Sequence, residues 1–126
     1  GACVVALGHT AAGVMGTDDA LVDALIQAGE ETGDRLWKFP LWEDYQKMIE
    51  GEHADLCNIG PGREAGAIMG GVFLRHFTGG VPWAHIDIAG VSYGVKNAPH
   101  LPAKYATGFG VRLLLRWFDA VAGETA

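Results

Sequence analysis

Trp83-Ala-His-Ile-Asp-Ile-Ala-Gly90 is the stretch on which the fold turns. It is rich in isoleucine, alternates and stops at a glycine, the pattern of a strand that sends successive side chains to opposite faces. Far upstream, Ala11-Ala-Gly-Val-Met15 is short, apolar and bounded by glycines, which predicts a buried strand ending at Gly16. Thr17 and Asp18 then supply helix-capping chemistry. Leu21, Val22, Leu25, Ile26 and Ala28 follow on one face at helical spacing, with Asp23, Gln27, Glu30 and Glu31 opposite and Gly33 as the stop. Strands alternating with amphipathic helices predict an α/β layered architecture.

The remaining segments fill in around this frame. Residues 2–7 are apolar without interruption, a short buried piece that periodicity leaves open between helix and strand. Trp37-Lys-Phe-Pro-Leu-Trp42 is an aromatic run broken by Pro40, its rings read as packing because aromatic side chains contribute chiefly through the area they bury. A short helix over 43–50 carries Tyr45, Met48 and Ile49, and a short strand is expected over 54–58. After the turn Ile59-Gly-Pro-Gly-Arg-Glu64, residues 65–77 are apolar nearly all round and studded with Gly66, Gly70 and Gly71, so this helix is expected to be buried between close neighbours. Residues 91–106 turn to Gly, Pro, Asn, Lys and His, a loop long enough that function is its usual reason. Thr107 is the N-cap candidate of a last helix with Leu113, Leu114, Trp117, Phe118 and Val121 on one face, Arg112 and Arg116 on the other, and a fraying tail at 123–126. No repeat or linker divides residues 1–126.

Composition narrows the function. Of the 126 residues, 49% are apolar and 19% charged, a globular balance, and the nineteen glycines show no three-residue period. A net charge of -6 with nine scattered Lys and Arg argues against a nucleic-acid surface and favours a small-molecule or peptide ligand. Cys3 and Cys57 read as buried, reduced thiols of a cytoplasmic protein rather than as a disulfide. No stretch approaches the roughly 20 uncharged residues of a membrane span, and no basic region precedes an apolar one at the start. Gly1 opens at once in apolar sequence without an initiator Met, so the rest of a larger parent is expected outside these residues.

Two local patterns could carry chemistry. His85 and Asp87 lie two apart in a strand and so share a face, the raw material of a metal site or of a general base with its orienter. The structural alternative, a buried pair satisfying its own hydrogen bonds, weighs more, because no further ligand stands nearby in sequence. Gly60-Pro-Gly62-Arg-Glu-Ala-Gly66 imitates a dinucleotide fingerprint, yet its glycine spacing is off by one, Pro61 lacks an amide and Glu64 brings negative charge. A plain tight turn is the favoured reading there, with a nucleotide-binding module as the alternative. There is no Gly-x-Ser-x-Gly, no cysteine with an evident His partner and no His-Glu-x-x-His, and His9, His53, His76 and His100 are single and scattered.

In order and almost end to end, these segments resemble the C-terminal part of the leucyl (cytosol) aminopeptidase family. The pieces are Gly1-Ala-Cys-Val-Val-Ala-Leu-Gly8, Glu31-Thr-Gly-Asp-Arg-Leu-Trp-Lys-Phe-Pro-Leu41, Ala54-Asp-Leu-Cys-Asn-Ile-Gly60, Ala65-Gly-Ala-Ile68, Phe73-Leu-Arg-His-Phe77, the opening stretch at 83–90 and Ala106-Thr-Gly-Phe-Gly-Val-Arg112. Only residues 92–105 depart from it. The resemblance implies a three-layer α/β/α domain with a mostly buried mixed sheet, of which residues 1–126 are the C-terminal segment. It implies an enzyme that removes N-terminal residues from peptides with two divalent cations, manganese or zinc, in a cytoplasmic homo-hexamer built as a dimer of trimers. The family's metal ligands, a lysine and carboxylates that include those of an Asn-Thr-Asp-Ala-Glu-Gly-Arg motif, lie upstream of the position matched by Gly1. None is expected within this segment, which alone should be inactive. Gly1, Ala89 and Ser92 match positions that line the substrate pocket. Ser92 stands where a larger apolar side chain is often found, which implies a roomier or more polar pocket. The alternatives are the nucleotide-binding module and a non-catalytic scaffold derived from the same fold.

Overall fold

Both strands that anchor the sequence reading form, as Ala12–Gly16 (β1) and Ala84–Asp87 (β3), and they pair antiparallel with Gly13 opposite Asp87 and Gly16 opposite Ala84. They belong to a computed structural model that describes residues 1–95 and 104–124. Asp19–Thr32 (α2) carries the chain from β1 to Leu36–Lys38 (β2), which lies parallel to β1 with Ala12 opposite Leu36. The sheet order β2-β1-β3 is therefore mixed, with β1 in the middle. Ala2–Leu7 (α1) precedes the sheet; Glu43–Gln46 (α3), running into a tight turn at Lys47–Ile49, and Gly66–Arg75 (α4) lie between β2 and β3; Val111–Glu124 (α5) closes the described chain.

Strand alternation decides which helices cover which face. Ala12 and Val14 of β1 join Val22, Leu25 and Ala28 of α2, with Leu36, Val91 and Leu113, in one core. From the opposite face, Gly13 meets Phe39 and Cys3, and Met15 fits the space left by Gly71 of α4. The result is the expected α/β fold in three layers, α2 and α5 on one side of the sheet and α1 and α4 on the other. Asp18 caps α2 by accepting the Leu21 amide at 2.8 Å, and Gly33 ends it at φ 80°. None of the described helices is long and apolar enough to cross a membrane.

Several expectations are corrected. Residues 2–7 settle as a helix, but only Cys3 is buried. Leu36–Lys38, of which Trp37 and Lys38 read in sequence only as the start of an aromatic run, is a strand because β1 offers it a partner. Trp37 and Trp42 are 63% and 64% exposed rather than packed, Trp42 lying over the Tyr45 ring with centroids 5.9 Å apart. Residues 54–58 form no strand; the Cys57 amide donates back to the Ile49 carbonyl at 2.7 Å and a single bridge joins Glu50 to Leu56. Cys57 is exposed, and both cysteines are free thiols. Thr107 is not the N-cap of α5, which starts four residues later. Its hydroxyl donates to the Val91 carbonyl at 2.6 Å and accepts the Phe109 amide at 3.2 Å, tightening the approach to the helix. Of the apolar face expected on α5, Leu113 is buried while Leu114, Phe118 and Val121 are exposed. In the loop at 91–106, residues 96–103, and His100 with them, lie outside the described residues.

Candidate functional site

The end of β3 is where two of the three residues expected to touch substrate, Ala89 and Ser92, meet. After Asp87 the chain turns, and the Ile88 carbonyl accepts the amides of both Val91 and Ser92 at 3.0 Å. Ala89 and Ser92 therefore belong to one turn, Ala89 exposed and Ser92 partly so, above the buried Val91. Asp87 builds that turn: its Oδ1 accepts the Ala89 amide at 3.0 Å, the local bond an aspartate makes when it nucleates a turn.

Helix α1 is fastened to the same turn at two points. Near its start, the Cys3 thiol donates to the Asp87 carbonyl at 3.6 Å. Just beyond its end, His9 Nδ1 bonds the Gly90 carbonyl at 2.6 Å, so this nitrogen carries the proton. Between these, Gly90 lies so close to Gly8 that a β-carbon there would collide with the Gly8 carbonyl oxygen. Gly1 is the exposed N-cap residue of α1, its carbonyl accepting the Val5 amide at 3.1 Å. Ala89 and Ser92 are thus brought together directly, whereas Gly1 is linked to them through the helix it begins. On its far side the turn is held by Thr107, whose amide donates to the Ser92 carbonyl at 2.9 Å.

His85 and Asp87 do share a face of β3, and the environment decides their role. Burial pushes the His85 imidazole below its ordinary range, with the Asp87 charge partly offsetting it, and the ring stacks against Trp83 with centroids 6.1 Å apart. Burial pushes the Cys3 thiol up, and the nearby Asp87 charge adds to it, so Cys3 is not an activated nucleophile. Among the described residues there is no group of three or more His, Cys, Asp or Glu side chains placed to hold a metal ion. A pair of divalent cations does not fit the side chains seen here. Of the other histidines, His76 bonds Gln46 at 2.8 Å and His53 is exposed.

The turn at 60–66 is not part of this constellation. Glu64 folds its carboxylate over Gly62, placing negative charge where a phosphate would have to approach the backbone. Together with the outer face of α1 and with α4, the turn lines an apolar cavity of about 740 Å³ that touches neither Ala89 nor Ser92. Sequence reasoning missed the contacts that hold the site: Cys3 with Asp87 and His9 with Gly90 are separated by 84 and 81 residues, and no local pattern announces them.

The catalytic-domain model of the cytosol aminopeptidase family matches residues 1–115. The chain is 50% identical over 117 residues to a probable cytosol aminopeptidase of Geobacter sp. (strain M21), covering 93% of this chain and 23% of that protein. It is 51% identical over 120 residues to one from Geobacter sulfurreducens, covering 95% and 24% respectively. A third, from Stenotrophomonas maltophilia, is 50% identical over 117 residues, covering 93% and 23%. The chain spans less than a quarter of the length of these relatives. With its α/β layers and a family match running from α1 into α5, the chain belongs to the cytosol aminopeptidase family.

Proposed function

We propose that residues 1–126 are a C-terminal segment of the catalytic domain of a two-metal aminopeptidase, a cytoplasmic homo-hexamer that removes N-terminal residues from peptides. In this reading the cations, manganese or zinc, are gripped by residues outside this chain. The segment supplies scaffold and, through Gly1, Ala89 and Ser92, one wall of the pocket for the N-terminal side chain. Gly1 contributes backbone that a ligand can approach closely, Ala89 a small apolar surface and Ser92 a short polar one. The observation that carries the proposal is the family match across residues 1–115, in a chain whose α1 is fastened to the turn bearing Ala89 and Ser92.

Two assays test it. The 126-residue chain with Mn2+ or Zn2+ and leucine amide is expected to give no turnover, while the full-length parent gives turnover that a chelator abolishes; robust hydrolysis by the short chain refutes the division of labour. In the parent, Ser92→Met narrows the pocket and shifts the kcat/KM ratio between leucine and bulkier N-terminal residues toward leucine, by about tenfold or more on the scale of one or two methylenes. An unchanged ratio removes Ser92 from the pocket. A parent without the Asp-x-Glu-x-Arg pattern upstream of Gly1 would instead be a non-catalytic scaffold.

A further inference from the structure

Helix α1 has no side suited to water. Its six residues, Ala-Cys-Val-Val-Ala-Leu, carry no charged side chain, yet Cys3 is the one residue fully buried and Val5 is 90% exposed. A surface helix ordinarily shows a polar face, and one that is apolar all round is covered on all sides. So short a helix also draws its stability from packing rather than from propensity. The apolar surface continues beyond it: Ile59 is 73% exposed, and the cavity of about 740 Å³ runs between Val5 and Ala6, the turn at 60–66 and α4. Gly70 of α4 faces this space, and a β-carbon there would meet nothing within 4 Å. A glycine inside a helix costs stability relative to alanine, and nothing among the described residues requires one at that position.

We infer that this surface is an intramolecular docking face, covered in the intact protein by an apolar segment of the same polypeptide lying outside residues 1–126, packed into the cavity with Val5 and Ile59 against it and Gly70 beneath it. The length of the relatives supplies the occupant, since this chain spans under a quarter of them. The inference rests on the reading of the chain as one piece of a larger domain and adds which face joins it to the rest.

The test uses the full-length parent with Cys57→Ser and Val5→Cys, following maleimide labelling at position 5 by peptide mass. Labelling in the native protein is expected to be slower than in the urea-unfolded protein by about a hundredfold or more, as for a site exposed only through opening. Labelling at nearly the unfolded rate overturns the inference. So does protection that appears only when a peptide is added, which makes the cavity a ligand cleft, or only above the concentration at which the parent oligomerises, which assigns the face to a second copy. Gly70→Ala provides a readout that does not depend on labelling. Helix propensity alone would raise the melting temperature, whereas a segment seated on Gly70 makes the added methyl lower it, and a rise overturns the inference. The two readings fail separately: a protected Val5→Cys in a parent lacking metal-dependent turnover sinks the aminopeptidase proposal alone, and an open Val5→Cys in an active parent sinks only the docking face.

Discussion

The two helical layers of this molecule are closed by different means. On the side of α2 and α5, large side chains interdigitate and charged groups lock the edges. The buried Asp34 accepts from Arg112 at 2.7 Å and from the Gly110 amide at 3.1 Å, and Arg116 pairs with Glu31. On the side of α1 and α4, a side-chain cluster around Ile49, Ile68, Met69 and Val72 is joined by close approaches at glycines. Gly90 abuts Gly8, Gly71 makes room for Met15, and a β-carbon on Gly66 would lie 2.8 Å from that of Ala2. The first layer presents a largely polar exterior on α2 and exposed Leu115 and Phe118 on α5; the second presents Val5 and Ile59. A contact between side chains tolerates loss in proportion to the volume removed, whereas a close approach at a glycine tolerates little added volume.

That contrast can be broken most forcefully at Leu113, which is fully buried between α2, β1 and the turn at Val91. Leu113→Ala is expected to cost about 4 kcal/mol in denaturant unfolding, the upper part of the range for a buried leucine whose site cannot collapse. In the other layer the damaging change is an addition. Gly90→Ala forces a methyl against the Gly8 carbonyl and costs about 2–3 kcal/mol, as overpacking does. Because α1 must then move away from Ala89 and Ser92, parental turnover falls with it. If Gly90→Ala unfolds at the wild-type midpoint, the close approach at Gly90 is not what joins this side.

Asp34→Ala removes the acceptor of the Gly110 amide and the partner of Arg112. Arg112 is half exposed and regains water, so the loss is about 2 kcal/mol, less than for a fully buried pair. Asp18→Ala strips the cap from α2 and costs about 1 kcal/mol. The smallest effect is one of pH. His85 has its folded pKa depressed below the ordinary 6.5, so between those values the unfolded chain binds more protons than the folded one. Stability should therefore fall as pH drops from about 7 through the unfolded pKa, and His85→Gln should flatten that slope in urea titrations. An unaltered slope assigns the acid sensitivity to other groups.

The residues proposed for the pocket entered by resemblance, not by pattern. Ala89 and Ser92 carry no chemistry that spacing could flag, and only the double use of the Ile88 carbonyl reveals that they share a turn. The His85–Asp87 pair shows the reverse. Its spacing is conspicuous, but the Asp87 carboxylate is engaged by the Ala89 amide and His85 lies against Trp83, so each member is occupied by a local structural contact.

What the sequence determined by itself is the part whose energy is local. Helix α2 runs from its Asp18 cap to Gly33 because cap, apolar stripe and left-handed stop all lie within fifteen or so residues, and β1 forms between glycines from a continuous apolar run. Tertiary structure alone decided that residues 2–7 are helical, that Leu36–Lys38 is a strand, and that Thr107 ties the turn at 88–92 to the approach to α5. Each of these depends on a partner far along the chain: β1 for the strand, Asp87 and Gly90 for the first helix, Val91 for the threonine. Periodicity and capping report the preferences of neighbouring residues. The two bonds that fasten α1 to this turn join groups more than eighty residues apart, so they exist only once the layers have come together.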